Sequence, residues 1–190
     1  MNMTGTIKTR DHLKALDLAY ISIGAALIAV CSWISIPTAV PFTLQTFAVF
    51  FVMLLLGGER GTIATLIYVL LGAFGLPVFA GFKGGIGVLF GNTGGYIMGF
   101  ILTGLIYMLF TRLFKNNKVV KIVALVIGLL VCYAFGTAWF MYVYMRDTGE
   151  VGLLTVLGWC VFPFIIPDLI KMALAVIISK RVQPVIREEA

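Results

Sequence analysis

Apolar residues in this chain come in runs too long, and too evenly apolar, for the one-sided helices and alternating strands of a soluble domain. A helix crossing the hydrocarbon core of a bilayer needs about 20 mainly apolar residues. The runs predict spans at Leu16–Ile36, Leu44–Leu56, Thr62–Leu76, Tyr96–Phe114, Val119–Tyr144 and Leu153–Ile178. The second and third are short. They require tilt, extension into their loops or shielding by neighbouring helices, and five spans is the competing count if these two are misassigned. The expected fold is therefore an all-α integral membrane protein of six transmembrane helices, one domain over residues 1–190, with residues 1–14 as a cytoplasmic N-terminal segment. The first run follows basic residues as a signal peptide would, but it continues to about Ile36 without a small-residue cleavage signal, which predicts a retained span. No internal repeat is visible, so an inverted-repeat carrier gains no support.

Composition agrees with the runs. Hydrophobic residues make up 61% of the 190 positions and charged residues only 12%, against about 25% charged in a soluble domain. Mean hydropathy is +1.08. The net charge of +6 is not spread along an aromatic-interleaved stripe, which argues against nucleic acid as a partner. It lies near span ends and suits the bilayer surface. With the N-terminus inside, the inner segments hold Lys8, Arg10, Lys14, Arg60, Arg112, Lys115, Lys118, Lys121, Lys180, Arg181 and Arg187, and the outer ones only Lys83 and Arg146. That bias predicts both termini on the cytoplasmic side. Cys31, Cys132 and Cys160 lie in apolar runs and His12 is the single histidine, so neither a disulfide framework nor a metal site is expected. There is no Gly-Lys dipeptide, no HExxH and no G-x-S-x-G. The chain carries no P-loop for hydrolysing ATP and no evident catalytic residues.

The orientation places three connections outside, at about Pro37–Thr43, Pro77–Gly94 and Met145–Gly152. The first two are apolar and rich in proline or glycine, with Phe79, Phe82 and Phe90 in the second. Such loops survive at membrane depth where protein covers them or where they line a cavity, so both are expected to fold over the outer mouth of a ligand pocket. Asp168 and Lys171 lie within the last apolar run, three residues apart and hence on one helical face. Intramembrane charges are costly and usually functional; a self-neutralising pair that fixes helix packing is the alternative. Pro167 should kink the span just before Asp168. Thr93-Gly94-Gly95-Tyr96 opens the fourth span, with Thr93 as a candidate N-cap and open backbone N–H groups suited to an anion; close helix packing at the glycines explains the same residues. Lys83 is a second candidate cation, or an ordinary solvated loop lysine. The tryptophans at 33, 139 and 159 read as interfacial anchors. In the first span, 22/26 and 25/29 have small-xxx-small spacing that permits close helix contact.

Ser35-Ile36-Pro37 with Val40-Pro41-Phe42-Thr43-Leu44-Gln45-Thr46, then Gly75-Leu76-Pro77-Val78-Phe79-Ala80-Gly81, Gly84-Gly85 and Gly91-Asn92-Thr93-Gly94-Gly95-Tyr96, then Pro167-Asp168-Leu169-Ile170-Lys171, together resemble the signatures of the BioY family. These are biotin-specific substrate-capture (S) components of bacterial energy-coupling-factor transporters. Asn92 departs from the pattern, which more often has proline there. The resemblance implies a six-helix protein of the bacterial cell membrane that binds biotin from outside. It would dock on a membrane coupling protein driven by two cytosolic ATPases, holding no cofactor itself and using ATP only through those partners. It implies ligand contacts from Asp168 to the ureido N–H groups, with Asn92, Thr43, Gln45 and Tyr96 supplying other polar contacts. Lys171 orients Asp168 or binds ligand directly. The ligand carboxylate would lie toward the Gly94-Gly95 helix start or Lys83, with Phe79 and Trp139 as apolar walls and Ala25 and Ala29 as the docking face. The competing function is a stand-alone proton-coupled secondary carrier that uses Asp168; a membrane enzyme is a distant third.

Overall fold

The computed structural model describes residues 3–188 except 39, 115 and 116, with side chains described from residue 15 to 184. Lys115 therefore lies outside the described residues, as do the side chains of Lys8, Arg10, Lys14 and Arg187. The chain is helical almost throughout: α1 (Met3–Trp33), α2 (Gln45–Leu56), α3 (Gly58–Ala73), α4 (Ile86–Phe90), α5 (Gly94–Leu113), α6 (Lys118–Asp147), α7 (Leu153–Cys160) and α8 (Phe162–Glu188). Four stretches are long and apolar enough to cross a membrane: Ala15–Trp33, Gly94–Leu113, Lys118–Asp147 and Leu153–Pro184. The two short runs anticipated from sequence are α2, of 12 residues, and α3, of 16. At 1.5 Å per residue these are roughly 18 and 24 Å long, less than the hydrocarbon thickness of about 30 Å.

The shortness of α2 follows from its place. Ala48 to Leu54 are buried at every consecutive position, the mark of a helix surrounded on all sides. It packs against α1, α3 and α8, and α1 and α5 close on α3 from either side. The tightest pair is α5 with α6, and small residues make it so. A side chain at Gly99 would meet the Cys132 sulfur at 2.7 Å, and one at Gly128 would meet Thr103 at 2.7 Å. In lipid, where apolar surface drives nothing, such backbone proximity is what holds helices together. By contrast α6 and α8 scarcely touch along their length.

Two departures from the sequence reading shape the site. The run Leu153–Ile178 is not one helix; it breaks at Val161, whose φ/ψ of −126°/−57° leave the helical region. Pro163 explains the position. It has no N–H to give the Trp159 carbonyl and its ring would strike that carbonyl in a continuous helix, but it is tolerated in the first turn of a new one. Pro167, the expected kink, lies within α8. The first outer connection is also more ordered than expected: Ser35–Ile36 (β1) pairs antiparallel with Phe42–Thr43 (β2), a two-stranded ribbon that closes the loop on itself.

The second outer connection folds as a turn at Ala80–Phe82, the short α4 and an approach to α5. Phe79 anchors it. Its ring is buried, edge-on to Tyr68, and lies so close to Gly72 that an added Cβ there would stand 2.1 Å from the ring. Gly72→Ala should therefore overpack the site by about 1–3 kcal/mol. A lowered thermal unfolding midpoint of the purified protein, with Phe79 displaced, is the expected result.

Candidate functional site

The first turns of α2, α5 and α8 and the middle of α6 enclose a cavity of about 200 Å³, roofed by the loops that precede α2 and α5. At its floor lie Asp168 and Lys171, 2% and 5% exposed. Their i,i+3 spacing puts them on one face of α8, and Lys171 Nζ donates to Asp168 Oδ1 at 2.9 Å. Two other helices complete the pair. Thr46 at the start of α2 donates to the same oxygen at 2.8 Å and accepts from Lys171 Nζ at 3.1 Å. Tyr133 of α6 donates to Oδ2 at 2.6 Å. The ring of Phe42, on β2, lies 4.2 Å beneath the ammonium, a favourable cation–π position. A carboxylate accepts about four hydrogen bonds, so Asp168 retains capacity for one more donor.

Above this floor the wall alternates apolar and polar groups. Phe79, Ile97, Phe100 and Leu129 supply the apolar part, and Tyr96, Thr43 and Gln45 the polar part. Gln45 is buried and its Nε2 donates to Tyr68 at 2.8 Å, which leaves its carbonyl oxygen as an acceptor. The Tyr96 hydroxyl is paired with Thr137 at 3.0 Å. Lys83 stands at the exposed mouth. The described part of the site contains no cluster of metal-ligating groups.

Among the anticipated residues, Asp168, Lys171, Tyr96, Thr43, Gln45, Phe79 and Lys83 line one cavity. The others sit elsewhere. Asn92 is exposed on the loop, off the cavity wall. Trp139 packs outside, its indole N–H bonded to the Gly91 carbonyl at 3.0 Å and its ring beside Phe90 and Phe135. Gly94 and Gly95 are buried at close approaches, with added Cβ atoms 1.7 Å from the Leu89 carbonyl and 2.3 Å from Trp139. The helix start is thus packed against protein at the two glycines. Thr93 holds the N-cap position but makes no side-chain cap bond, because its φ/ψ of −92°/−6° are already helical and a capping hydroxyl needs extended backbone. It lines the cavity instead.

Ala25 and Ala29 are 3% and 7% exposed, within the core where α1 meets α2 and α3. They do not form a free docking face; Ser22 and Ala26, the other pair, face outward. Thr46 and Tyr133 were not singled out from sequence. Thr46 directly follows Gln45 in the first motif, and Tyr133 is a tyrosine near the middle of an apolar 30-residue helix rather than at its end, a placement that calls for a buried partner. Trp33 also has a specific partner: its indole N–H donates to the Pro77 carbonyl at 2.8 Å and its ring stacks on Phe82. Beside it, the buried Ser32 hydroxyl bonds to the Val78 carbonyl.

Residues 3–188 match the BioY family. The chain is 44% identical over 162 residues to the biotin transporter BioY of Thermotoga maritima, covering 83% of this chain and 90% of that protein. It is 39% identical over 173 residues to the probable biotin transporter BioY of Pyrococcus horikoshii, covering 90% and 98%. Its structure resembles the crystal structure of the S-component for biotin from an ECF-type ABC transporter, with a TM-score of 0.78 at 27% identity over 91% of this chain and 93% of that one. The chain belongs to the BioY family.

The floor network makes a prediction about stability. Lys171→Met leaves Asp168 as an uncompensated buried charge and should destabilise by about 3–5 kcal/mol. Adding Asp168→Asn should restore most of the loss, read as the thermal unfolding midpoints of the single and double variants.

Proposed function

We propose that this BioY-family chain captures biotin from the outer face of a bacterial cell membrane, as the substrate-binding subunit of an ATP-driven energy-coupling-factor transporter. The observation that carries this is the buried Asp168–Lys171 pair at the floor of a roofed cavity, in a chain whose relatives are named biotin transporters. The two short helices α2 and α3 act as the second and third of six spans, which puts both termini on the cytoplasmic side in accord with the basic-residue bias.

Biotin matches the cavity group by group. Its ureido ring offers two N–H donors and one carbonyl acceptor, its thiophane ring is apolar, and its valerate ends in a carboxylate. The remaining acceptor site of Asp168 and the Gln45 carbonyl suit the two N–H donors. The low dielectric at the floor strengthens a charge-assisted bond of this kind. Lys171 holds Asp168 in position, and lies near enough to Asp168 to meet the ureido oxygen. The aromatic and aliphatic wall takes the thiophane ring. With the start of α5 packed against Leu89 and Trp139, Lys83 at the mouth is the partner left for the carboxylate. The cavity of about 200 Å³ is at the small end for a small-molecule site, which suits a compact bicyclic ring.

The chain lacks a P-loop, and in this reading ATP is hydrolysed by two cytosolic partners acting through a membrane coupling protein. The outward face of α1, with Ser22 and Ala26, is the docking surface offered to that protein.

Calorimetric titration of the purified protein with biotin, desthiobiotin and thiamine tests the ligand. Tight binding of biotin with none of thiamine is expected, and no heat with biotin would sink the assignment. Asp168→Asn should weaken biotin binding more than tenfold, since hydrogen bonds to charged groups contribute about 1.5–3 kcal/mol. Lys83→Ala should weaken biotin but leave the affinity of biotin methyl ester unchanged. An equal loss for both would move the carboxylate elsewhere. Uptake into liposomes by the chain alone, driven by a pH gradient, would favour a proton-coupled carrier.

A further inference from the structure

A second concavity lies at the opposite end of the molecule, where α2 ends, α6 begins and α8 completes its last turns. Its volume is about 680 Å³. Eleven residues separate Tyr133 from Ile122, which places this cleft roughly 16 Å along α6 from the biotin cavity floor. It exists because α6 and α8, which scarcely touch, leave a fissure between them.

Two chemistries line it. Lys118 and Lys180 come from different helices and are both exposed, and Lys121 lines the same cleft half-buried. Asn117 and Ser179 add polar groups, and no acidic side chain among the described residues lies on the wall. Leu54, Val119, Ile122 and Val176 form the apolar part. Positive charge and apolar surface therefore share one cleft.

We propose that this cleft seats an anionic phospholipid, its phosphodiester between Lys118 and Lys180 and one acyl chain in the α6–α8 fissure. Charge complementarity chooses the occupant. A zwitterionic lipid would bring a cationic group to a basic rim, whereas a phosphatidylglycerol headgroup brings only the anion. Basic pockets between spans on the cytoplasmic side are suited to such headgroups, and lysine stems can lie along apolar surface while their ammonium groups reach the phosphate. Asn117 caps α6 by accepting from the Val120 N–H at 2.8 Å, so the lysine heads rather than the helix start define the anion position. The assignment to the inner leaflet rests on the orientation proposed above; the binding itself does not.

The test uses the full chain, purified in detergent and titrated with phosphatidylglycerol or phosphatidylcholine, with bound lipid counted by native mass spectrometry. Phosphatidylglycerol should be retained at least tenfold more tightly. The double variant Lys118→Gln/Lys180→Gln should lose that preference, while the charge-matched control Arg112→Gln/Arg181→Gln, whose substitutions lie off the cleft wall, keeps it. Phosphatidylglycerol should also protect Lys118 and Lys180 from acylation by an amine reagent in the unmutated chain, a readout that needs no variant to fold. Equal retention of the two lipids, equal loss in both double variants, or unprotected lysines would overturn the proposal. So would protection that appears only when a second copy of the chain associates. Biotin affinity should be unchanged in Lys118→Gln/Lys180→Gln, so failure here is distinct from failure of the biotin assignment.

Discussion

Removing a carboxylate and an ammonium from water is tolerable only when each remaining valence finds a partner. Asp168 and Lys171 impose that condition on the half of the molecule that surrounds the cavity. Their spacing on α8 supplies the ion pair, but the other contacts come from Thr46 on α2, Tyr133 on α6 and Phe42 on the ribbon. Three other elements must therefore converge on two side chains of α8. This matters most for α6 and α8, which share little packing. The Tyr133–Asp168 bond ties them at the cavity floor, while the stretch toward the start of α6 stays parted. One interaction thus accounts for both a closed floor above and an open fissure below.

The remaining helices are held differently. Between α5 and α6 small residues let the backbones approach, and the Thr103 hydroxyl donates to the Gly128 carbonyl at 3.0 Å across the contact. The roof has no such close helix packing and is held by side-chain bonds from its neighbours. Trp33 and Ser32 reach from α1 to the carbonyls of Pro77 and Val78, and Trp139 reaches from α6 to that of Gly91. Irregular backbone at this depth has few waters to satisfy it, so side chains of the flanking helices take their place.

Much of this was legible in the sequence because it depends on local signals. Hydropathy runs located α5 and α6 to within a few residues, and an ionisable pair in an apolar run pointed to the cavity floor without any structure. The helix break was legible in principle, since Pro163 dictates it, but Pro167 stands closer to the charges and drew the kink there. What could not be read were contacts across long separations. Nothing near Tyr133 announces that its hydroxyl meets Asp168, 35 positions later. A motif likewise identifies a segment, not the direction each residue faces, and so Asn92 and Trp139 entered the candidate set although they lie outside the cavity. The burial of Ala25 and Ala29, rather than Ser22 and Ala26, is a question of helix rotation that evenly apolar surroundings leave open.

The paired bonds from Ser32 and Trp33 have a mechanical meaning. They weld the outer tip of α1 to the strand of loop that carries Phe79 and, four residues on, Lys83. The position of the cavity mouth and the position of this end of α1 are therefore fixed by one joint.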